Sequence, residues 1–431
     1  MNRKHHWQVP IRDTHRFTRR RIDHRYRRAP VETQAHSASS KETLKFPTWP
    51  VYAQDEVDVA TAVLRSGAVN YWAGDHGRRF EREFAAYIGA DHGVAVSNGS
   101  LALGIALRGL NLRPGAEVIV TPRTFIASVS EILLAGAVPV FADVDPDSQN
   151  ISTETIEPLI GQRTAAIMTV HLAGWPCDMP GIVDLAATRG IAVIEDCAQA
   201  HGAVIGGRKV GAWGDVAAFS FCQDKIMSTG GEGGMLVTNN REIWAGSWSF
   251  KDHGKSPSLL SSQPSGNVFQ WVHEAIGTNG RMTEVQAAIG RCQLVKLDAW
   301  LDQRRANANR LNARLGGNSA LRTTMPGEGV GHSYYQYYCF VRPEALKDSW
   351  SRDRILGELE DMGIPVGSGA CPEVYLEAAL SESGCRPDQR LPNARELGET
   401  SIMLPAHPTV NERHMDRMAE ALVTVMSAAT R

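Results

Sequence analysis

A lysine that lies between an apolar segment and a glycine-rich turn is the feature of this 431-residue sequence with the clearest chemical potential. Lys225 follows the apolar residues 216–219 and precedes the Gly-Gly-Glu-Gly-Gly turn at 230–234. Partial desolvation beside such a turn can free a lysine amine to act as a nucleophile in Schiff-base chemistry. Because most lysines are solvated surface charges, Lys225 alone is weak support for that chemistry.

Two other groups give the lysine a chemical context. Asp196 ends a second apolar segment, where its carboxylate could keep a pyridine nitrogen protonated. Asn98, Gly99 and Ser100 precede a helical pattern, and the N-terminus of a helix favours an anion such as phosphate. A Schiff-base lysine, a ring carboxylate and a phosphate seat are the requirements of pyridoxal phosphate. Each group also has a plain structural alternative, since Asp196 could cap a helix and residues 97–100 could be an ordinary turn.

The elements that must position these residues alternate between strands and helices. Helical patterns such as 100–110 and 125–135 separate short apolar segments at 94–96, 118–120, 138–141, 166–170, 191–194 and 216–219. Strands that are apolar throughout indicate a mostly parallel sheet covered by helices on both faces. Ligands of such open sheets bind beyond the carboxyl ends of the strands, which is where the candidate residues lie in the sequence.

The pattern changes near residue 291, where a smaller α+β region begins. Its predicted elements are a long helix, a strand and a closing helix capped by Asn411, at 294–311, 332–338 and 412–426. We therefore predict a large α/β domain over residues 46–290 and a smaller α+β domain over residues 291–431. Residues 1–45 have little apolar periodicity and are predicted to be a flexible basic extension.

Charge is unevenly distributed along the chain. The whole sequence has a formal net charge of -2, from 45 Lys and Arg and 47 Asp and Glu. The first 30 residues contain ten basic and two acidic residues, so the remainder has 35 basic and 45 acidic residues. A body with this excess of acidic groups is a poor nucleic-acid binder.

The sequence also argues against several other classes of protein. No apolar run approaches the roughly 18–20 residues of a membrane helix, and no apolar block of a secretion signal follows the basic start. We therefore expect a cytoplasmic protein that does not span a membrane. The seven cysteines are scattered and form no Cys-x-x-Cys pair, which disfavours structural disulfides and metal centres.

From about residue 46 to the C-terminus, the chain resembles the DegT/DnrJ/EryC1/StrS family of pyridoxal phosphate-dependent sugar aminotransferases. The motifs that carry the resemblance include Asp-Cys-Ala-Gln-Ala-His-Gly-Ala at 196–203, Phe-Ser-Phe at 219–221, Glu-Gly-Gly at 232–234 and Gly-Thr-Asn-Gly-Arg-Met at 277–282. The resemblance implies an α/β protein of fold type I, with a mostly parallel seven-stranded sheet, helices on both faces and a smaller C-terminal α+β domain.

The resemblance also assigns contacts to the cofactor ring. Lys225 would form the Schiff base with pyridoxal 5'-phosphate and then move a proton between substrate and cofactor. Asp196 would pair with the ring nitrogen, Gln199 would hydrogen-bond the phenolic oxygen, and Phe125 would stack on the ring.

The phosphate contacts follow in the same way. Gly99, Ser100 and Ser220 would hold the phosphate of the same chain. Asn279 would reach the phosphate of the neighbouring subunit, which implies a homodimer with shared active sites.

The sequence departs from the family pattern around the lysine and the substrate entrance. Residues 222–224 are Cys-Gln-Asp where many members have His-Pro or Gly-Asn, and the glycine pair at 230–231 lengthens the next turn by one residue. Gly280 replaces a tyrosine that is usual in the family, which would remove an aromatic wall near the entrance. The presence of Lys225 argues against the branch in which histidine replaces lysine and the enzyme is a dehydratase.

The expected reaction is transfer of an amino group from L-glutamate or glutamine to a nucleotide-linked keto sugar. Pyridoxamine phosphate would be the intermediate form of the cofactor, and the amino sugar would serve polysaccharide or antibiotic biosynthesis. Substrate contacts are expected from stretches that face the active site in relatives, with packing as the alternative for the aromatic residues. These candidates are Trp72, Arg281, His332 and Tyr334.

Two other functions remain open. The acceptor could be a ketocyclitol of the scyllo-inosose type, because Gln223 has counterparts in the branch that uses such substrates. A regulator that binds DNA through the basic extension is a more distant alternative, with salt-sensitive phosphate contacts. However, some 45 residues without apolar periodicity do not predict a helix-turn-helix domain.

Overall fold

A seven-stranded sheet forms the centre of the computed structural model, which describes residues 44–258 and 271–431. Its strands run in the spatial order β1-β9-β8-β5-β4-β2-β3, and β9 alone among them is antiparallel to its neighbours. The strands are β1 (His92–Val96), β2 (Glu117–Val120), β3 (Val138–Phe141), β4 (Thr164–Val170), β5 (Ala192–Asp196), β8 (Val216–Ser220) and β9 (Gly234–Thr238). Two short strands, β6 (Val204–Ile205) and β7 (Arg208–Lys209), belong to a separate small sheet. The predicted mostly parallel sheet is therefore confirmed.

Helices cover both faces of this sheet. They are α1 (Gln54–Ser66), α2 (His76–Ile88), α3 (Gly99–Gly109), α4 (Ala127–Leu134), α5 (Thr153–Ile156), α6 (Met179–Arg189) and α7 (Arg241–Lys251). Alternate strand residues enter different cores, because successive side chains of a strand point to opposite faces. In β2, Val118 and Val120 pack with α3 and α4, whereas Ile119 packs with α6.

The C-terminal region is built on a second, three-stranded antiparallel sheet. Its strands are β10 (Leu321–Thr323), β12 (Tyr337–Val341) and β13 (Ser401–Leu404), while β11 (Val330–Gly331) pairs with β6. Its helices are α8 (Glu284–Leu315), α9 (Arg352–Asp361), α10 (Pro392–Thr400) and α11 (Glu412–Ala429). The end of α8 packs with α9 and α11 in one apolar core against this sheet.

Helix α8 links the two sheets and is longer than the predicted helix. It begins at Glu284 because the Thr283 hydroxyl accepts from the Gln286 N–H, and Gln286 accepts in return from the Thr283 N–H. The predicted domain boundary at 290–291 lies inside α8, and residues 45–431 form one compact unit by their contacts. A division into two domains remains a prediction.

Two other predicted boundaries require correction, and one strand was missed. The strand predicted at 332–338 begins only at Tyr337, because Tyr334 adopts a φ of 45°, which no strand accommodates. The helix predicted from 125 begins at Ala127, which leaves Phe125 in the preceding loop. Strand β9 was not predicted, since its short apolar run directly follows the glycine-rich turn.

Residues 1–43 lie outside the described residues, so the flexible basic extension also remains a prediction. In the part of the chain that the structure describes, no helix is both long enough and apolar enough to cross a membrane.

A buried ion pair connects the first helices to the edge of the main sheet. Lys251 at the end of α7 places Nζ 3.0 Å from Glu81 Oε1 on α2, and the lysine is fully buried. Glu81 also accepts from the Tyr71 hydroxyl at 2.9 Å and from the N–H of Ala95 in β1 at 2.9 Å. A buried carboxylate without its cation is costly, so this pair should matter for stability.

We predict that Lys251→Met lowers the free energy of unfolding by about 3–5 kcal/mol, because it leaves Glu81 as a buried charge without its counter-ion. The matched control is Arg189→Met, which breaks an exposed pair with Glu157 (N–O distance 3.1 Å) and should cost less than about 1 kcal/mol. Urea unfolding of both variants measures the difference. Equal losses would show that the buried pair has no special role.

Candidate active site

The N-terminus of α3 presents N–H groups at the carboxyl end of β1. The Asn98 side chain caps the helix by accepting from the Leu101 N–H at 2.8 Å. The first N–H groups of a helix have no acceptor within the helix, so this cap leaves those of Gly99 and Ser100 for an external group. Together with the helix dipole, they form a seat for an anion.

Gly99 and Ser220 meet where β1 and β8 end. A Cβ atom on Gly99 would lie 2.6 Å from Ser220 Cβ, so glycine is required by the close approach of the two segments. Ser220 is buried, and its hydroxyl oxygen accepts weakly from the Cys222 N–H at 3.3 Å. The three residues predicted to hold a phosphate are therefore brought together.

Asp196 lies buried at the carboxyl end of β5. Its carboxylate accepts from the Ser128 hydroxyl at 2.8 Å and from the Ala198 N–H at 3.1 Å. The Ser128 hydroxyl also lies 2.9 Å from that of Thr124, which joins the carboxylate to the loop after β2. Burial raises the pKa of Asp196, while the two hydrogen bonds and the nearby charge of Lys225 oppose this rise.

Gln199 follows Asp196 on a turn packed against the loop after β4. Its side-chain carbonyl accepts from the Ala173 N–H at 2.8 Å, so the amide NH₂ group remains a donor. Ala173 has a φ of 57° and Gly174 a φ of 93°, and a Cβ on Gly174 would lie 2.3 Å from Ser333 Oγ. This strained turn fixes the orientation of Gln199.

Lys225 lies in the loop after β8, with its side chain 16% exposed. Its Nζ atom is 3.5 Å from Asp224 Oδ2 and 4.9 Å from the centre of the Tyr335 ring. Its charge also acts on the buried Asp196 and His201, so it lies close to the carboxylate predicted to share its site.

Phe125 is the exposed aromatic residue of this edge. It follows Thr124 directly, in the loop between β2 and α4, and two thirds of its surface is accessible (67%). Such exposure is unusual for phenylalanine and suits a ring that stacks on a ligand.

The segment at 277–282 carries two predicted residues in different settings. Asn279 is exposed, and its backbone bridges to that of Asp252. Arg281 is instead neutralised, because its Nη1 donates to Asp252 Oδ1 at 2.8 Å. The guanidinium of Arg281 thus makes an internal ion pair, and its expected substrate contact remains a prediction.

Trp72 and Gly280 lie beside this segment. The Trp72 indole N–H donates to both oxygens of Asp252, and the residue is 39% exposed. A Cβ on Gly280 would lie 2.6 Å from Leu101 Cδ2, so a tyrosine there would need Leu101 to move. Trp72 keeps an accessible face, whereas Gly280 faces the first turn of α3.

His332 and Tyr334 do not present their side chains to a ligand. Their rings stack on each other with centres 3.8 Å apart and are only 6% and 7% exposed. Burial lowers the pKa of His332 to about 3, so its imidazole is neutral. Both rings therefore pack in the interior, which favours the packing alternative, and their substrate contacts remain a prediction. Tyr335 is the residue of this segment that faces Lys225.

Sequence reasoning missed three residues that shape the site. Ser128 holds Asp196, Tyr335 flanks Lys225, and the Trp49 indole N–H donates to the Lys225 carbonyl at 2.7 Å. Only Ser128 could have been found from nearby sequence. It lies in the first turn of α4, four residues after Thr124, which precedes Phe125 in the loop. Trp49 and Tyr335 are more than 100 residues from Lys225 in sequence.

A group of potential metal ligands lies behind the site. His171, Glu195 and Cys197 place ligand atoms within 4.8 Å of one another, and all three are buried. His171 Nε2 is 3.1 Å from Glu195 Oε2, and its Nδ1 accepts from the Cys177 N–H. The Glu195 carboxylate accepts three further backbone N–H groups, at 211, 213 and 214. These hydrogen bonds use the polar atoms of His171 and Glu195 to connect β4, β5 and the loop before β8. We therefore interpret the group as structural.

A sequence model of the DegT/DnrJ/EryC1/StrS aminotransferase family matches residues 50–423. The chain belongs to this family. The match spans the strand ends that carry Gly99, Asp196 and Lys225, and the protein is an aminotransferase.

Similar proteins include a solved aminotransferase from Psychrobacter cryohalolentis, which is 46% identical with a TM-score of 0.87 and covers 89% of this chain and 99% of its own. GDP-perosamine synthase of Escherichia coli O157:H7 is 35% identical over 81% of this chain and 90% of its own length. L-glutamine:2-deoxy-scyllo-inosose aminotransferase of Streptomyces fradiae is 36% identical over 75% and 78%, respectively. One of these relatives is thus named for GDP-perosamine, and another is named for 2-deoxy-scyllo-inosose.

We predict that Asp196→Asn stabilises the cofactor-free protein at pH 7. The folded carboxyl group has a raised pKa, so it holds its proton more tightly than the unfolded chain does. Folding stability therefore falls as the pH rises above the ordinary value of 3.8, and the neutral amide avoids this loss. In urea unfolding, the gain should shrink as the pH falls towards 4.

Asp416→Asn provides a control of opposite sign. A hydrogen bond from Arg310 lowers the pKa of Asp416, so its charge stabilises the folded protein at neutral pH and that contribution is lost in acid. This variant should be less stable than the wild type at pH 7. A loss of stability in Asp196→Asn at pH 7 would contradict the assigned cost of burying that charge.

Proposed function

We propose that the protein transfers an amino group from L-glutamate or glutamine to a nucleotide-linked keto sugar, with pyridoxal 5'-phosphate as cofactor. The observation that carries this proposal is that an anion seat, a buried carboxylate, a lysine and an exposed phenylalanine all follow the carboxyl ends of parallel strands in one sheet, namely β1, β5, β8 and β2. Membership of the aminotransferase family supports the same reaction.

The residues at this edge fit the cofactor. Gly99 lets the α3 N-terminus approach Ser220 directly, so that the first N–H groups of α3 and the Ser220 hydroxyl are together as donors for a phosphate. The buried charge of Asp196 would be offset by a protonated pyridine nitrogen, and the free NH₂ group of Gln199 suits a phenolic oxygen. Phe125 offers an exposed face for the ring.

The bound cofactor would supply an electron sink for carbanion chemistry. In the proposed mechanism Asp196 would hold a proton on the ring nitrogen, since its carboxylate is fixed by Ser128 and the Ala198 N–H. Lys225 would hold the cofactor, and its Nζ would accept and return the proton at the reacting carbon, a general acid–base role worth about 10²- to 10⁴-fold. Phe125 would pack against the ring and exclude water there.

We also propose that the enzyme is a homodimer with shared active sites. Asn279 supports this assignment, because its side chain is exposed although its backbone is tied to Asp252 beside the α3 N-terminus. An exposed amide at this position can serve the phosphate site of a neighbouring subunit.

The nucleotide-linked keto sugar is favoured over a ketocyclitol by the relatives that act on sugars, of which the GDP-perosamine synthase is one. The Streptomyces fradiae enzyme, named for 2-deoxy-scyllo-inosose, supports the ketocyclitol as second candidate. Gln223, two residues before Lys225, is the sequence feature that favours it.

We expect Lys225→Ala to bind pyridoxal phosphate but to lose amino transfer by at least about 10²-fold, since no other group replaces Nζ in proton transfer. Cofactor absorbance and product formation from glutamate measure the two properties separately. Lys209→Ala, which removes a lysine whose Nζ lies 4.4 Å from the Tyr87 ring centre, is the matched control and should retain activity. Full turnover by Lys225→Ala would refute the mechanism.

A substrate panel tests the acceptor. The protein is loaded with glutamate, or with glutamine, and is then offered nucleotide-linked keto sugars and ketocyclitols while the cofactor spectrum is followed. Return of the aldehyde form with a keto sugar supports the proposal, and return with ketocyclitols alone favours the second candidate. No response to any acceptor would contradict amino transfer to this class of ketone.

A further inference from the structure

Lys225 is held at both ends by aromatic residues that are distant in sequence. At the backbone, the Trp49 indole N–H donates to the Lys225 carbonyl at 2.7 Å. At the amine, the Tyr335 ring centre lies 4.9 Å from Nζ. The Tyr335 hydroxyl also donates to Asp224 Oδ2, the same oxygen that lies 3.5 Å from Nζ.

Asp224 needs this partner in order to keep a fixed position. Its side chain is 59% exposed, and an exposed carboxylate next to a flexible lysine would otherwise exchange between rotamers. The hydrogen bond from the Tyr335 hydroxyl restricts that freedom, because the half-buried tyrosine has less freedom than Asp224. Asp224 is also one of the residues at which this chain departs from the family pattern.

Arg304 aligns both aromatic residues. This arginine of α8 is 1% exposed, and its Nη1 donates to the carbonyls of Tyr334 and Tyr335 at 3.1 and 3.2 Å. Its guanidinium carbon lies 5.3 Å from the centre of the Trp49 ring. Among the described residues no carboxylate pairs with Arg304, and burial lowers its pKa to about 9. A buried cation without an acidic partner is costly, and two of its contacts, Trp49 and Tyr335, themselves contact Lys225.

We propose that Asp224 and Tyr335 are positioning residues for the Lys225 amine, and that Arg304 aligns Tyr335 and Trp49 for this task. The inference rests on the proposed role of Lys225 and extends it to residues outside the cofactor contacts. A lysine that must attack a carbon and then return a proton to it benefits from a restricted Nζ, since displacement by about 1 Å can cost about 10²-fold in rate.

Tyr335→Phe and Asp224→Asn test the pair, alone and together. Each single variant should lower kcat by about 10-fold while KM for the amino donor changes less than about 2-fold, because Nζ is misplaced but the substrate contacts remain. The double variant should lose little more than either single one, since both changes remove the same hydrogen-bonded link.

A second readout is independent of turnover. The visible circular dichroism of the lysine-bound cofactor reports how firmly the chromophore is oriented, and it should weaken to a similar extent in all three variants. Tyr337→Phe is the matched control, because the Tyr337 hydroxyl donates to Asn312 at 2.8 Å in the C-terminal core. It should leave both kcat and the dichroism unchanged.

Three results would overturn the inference: unchanged dichroism and kcat in Tyr335→Phe, losses that multiply in the double variant, or equal losses in Tyr337→Phe. Failure of the proposed function has a different signature. In that case the wild type would transfer no amino group to any acceptor, while the dichroism of the bound cofactor would still distinguish Tyr335→Phe from Tyr337→Phe.

Discussion

The buried negative charge of Asp196 is the constraint on which the site depends. A carboxylate at the end of a central strand is removed from water, and this burial raises its pKa. Ser128 and the Ala198 N–H supply the hydrogen bonds that a buried charge requires. Because Ser128 also contacts Thr124, the loop that presents Phe125 is fixed relative to the carboxylate. One buried charge thus orders the loops after β2 and β5.

The residues that the sequence predicts well are those with a local signal. One apolar strand ends in Asp196, and another is followed by Lys225 within a few residues. Each pattern by itself predicts a ligand site at the carboxyl edge of the sheet. Gly99 and Ser100 are equally local, because a capping asparagine and a helical pattern surround them. Parallel strands with apolar residues throughout then require the strand ends to meet, so the main features of the fold and the cofactor site follow from short segments.

The residues that the sequence predicts poorly depend on partners far along the chain. Nothing in the residues around Arg281 indicates that its guanidinium forms an ion pair with Asp252. Nor do they indicate that the same carboxylate accepts from the Trp72 indole. In the segment that precedes β12, the positive φ of Tyr334 breaks the alternation expected of a strand. With the backbone in this conformation, the side chains of His332 and Tyr334 are buried and Tyr335 lies beside Lys225.

The positive φ of Tyr334 also explains how the buried Arg304 finds its hydrogen-bond acceptors. A regular strand would pair its carbonyls with a neighbouring strand, whereas this turn offers two consecutive carbonyls to one guanidinium group. Arg304 and Lys225 both act on His201, and burial together with these charges lowers its pKa to about 3. His201 therefore stays neutral between two cations, and Asp196 is the buried charge of opposite sign near Lys225. The position of the lysine amine is thus determined as much by the C-terminal segment and α8 as by the strand that precedes it.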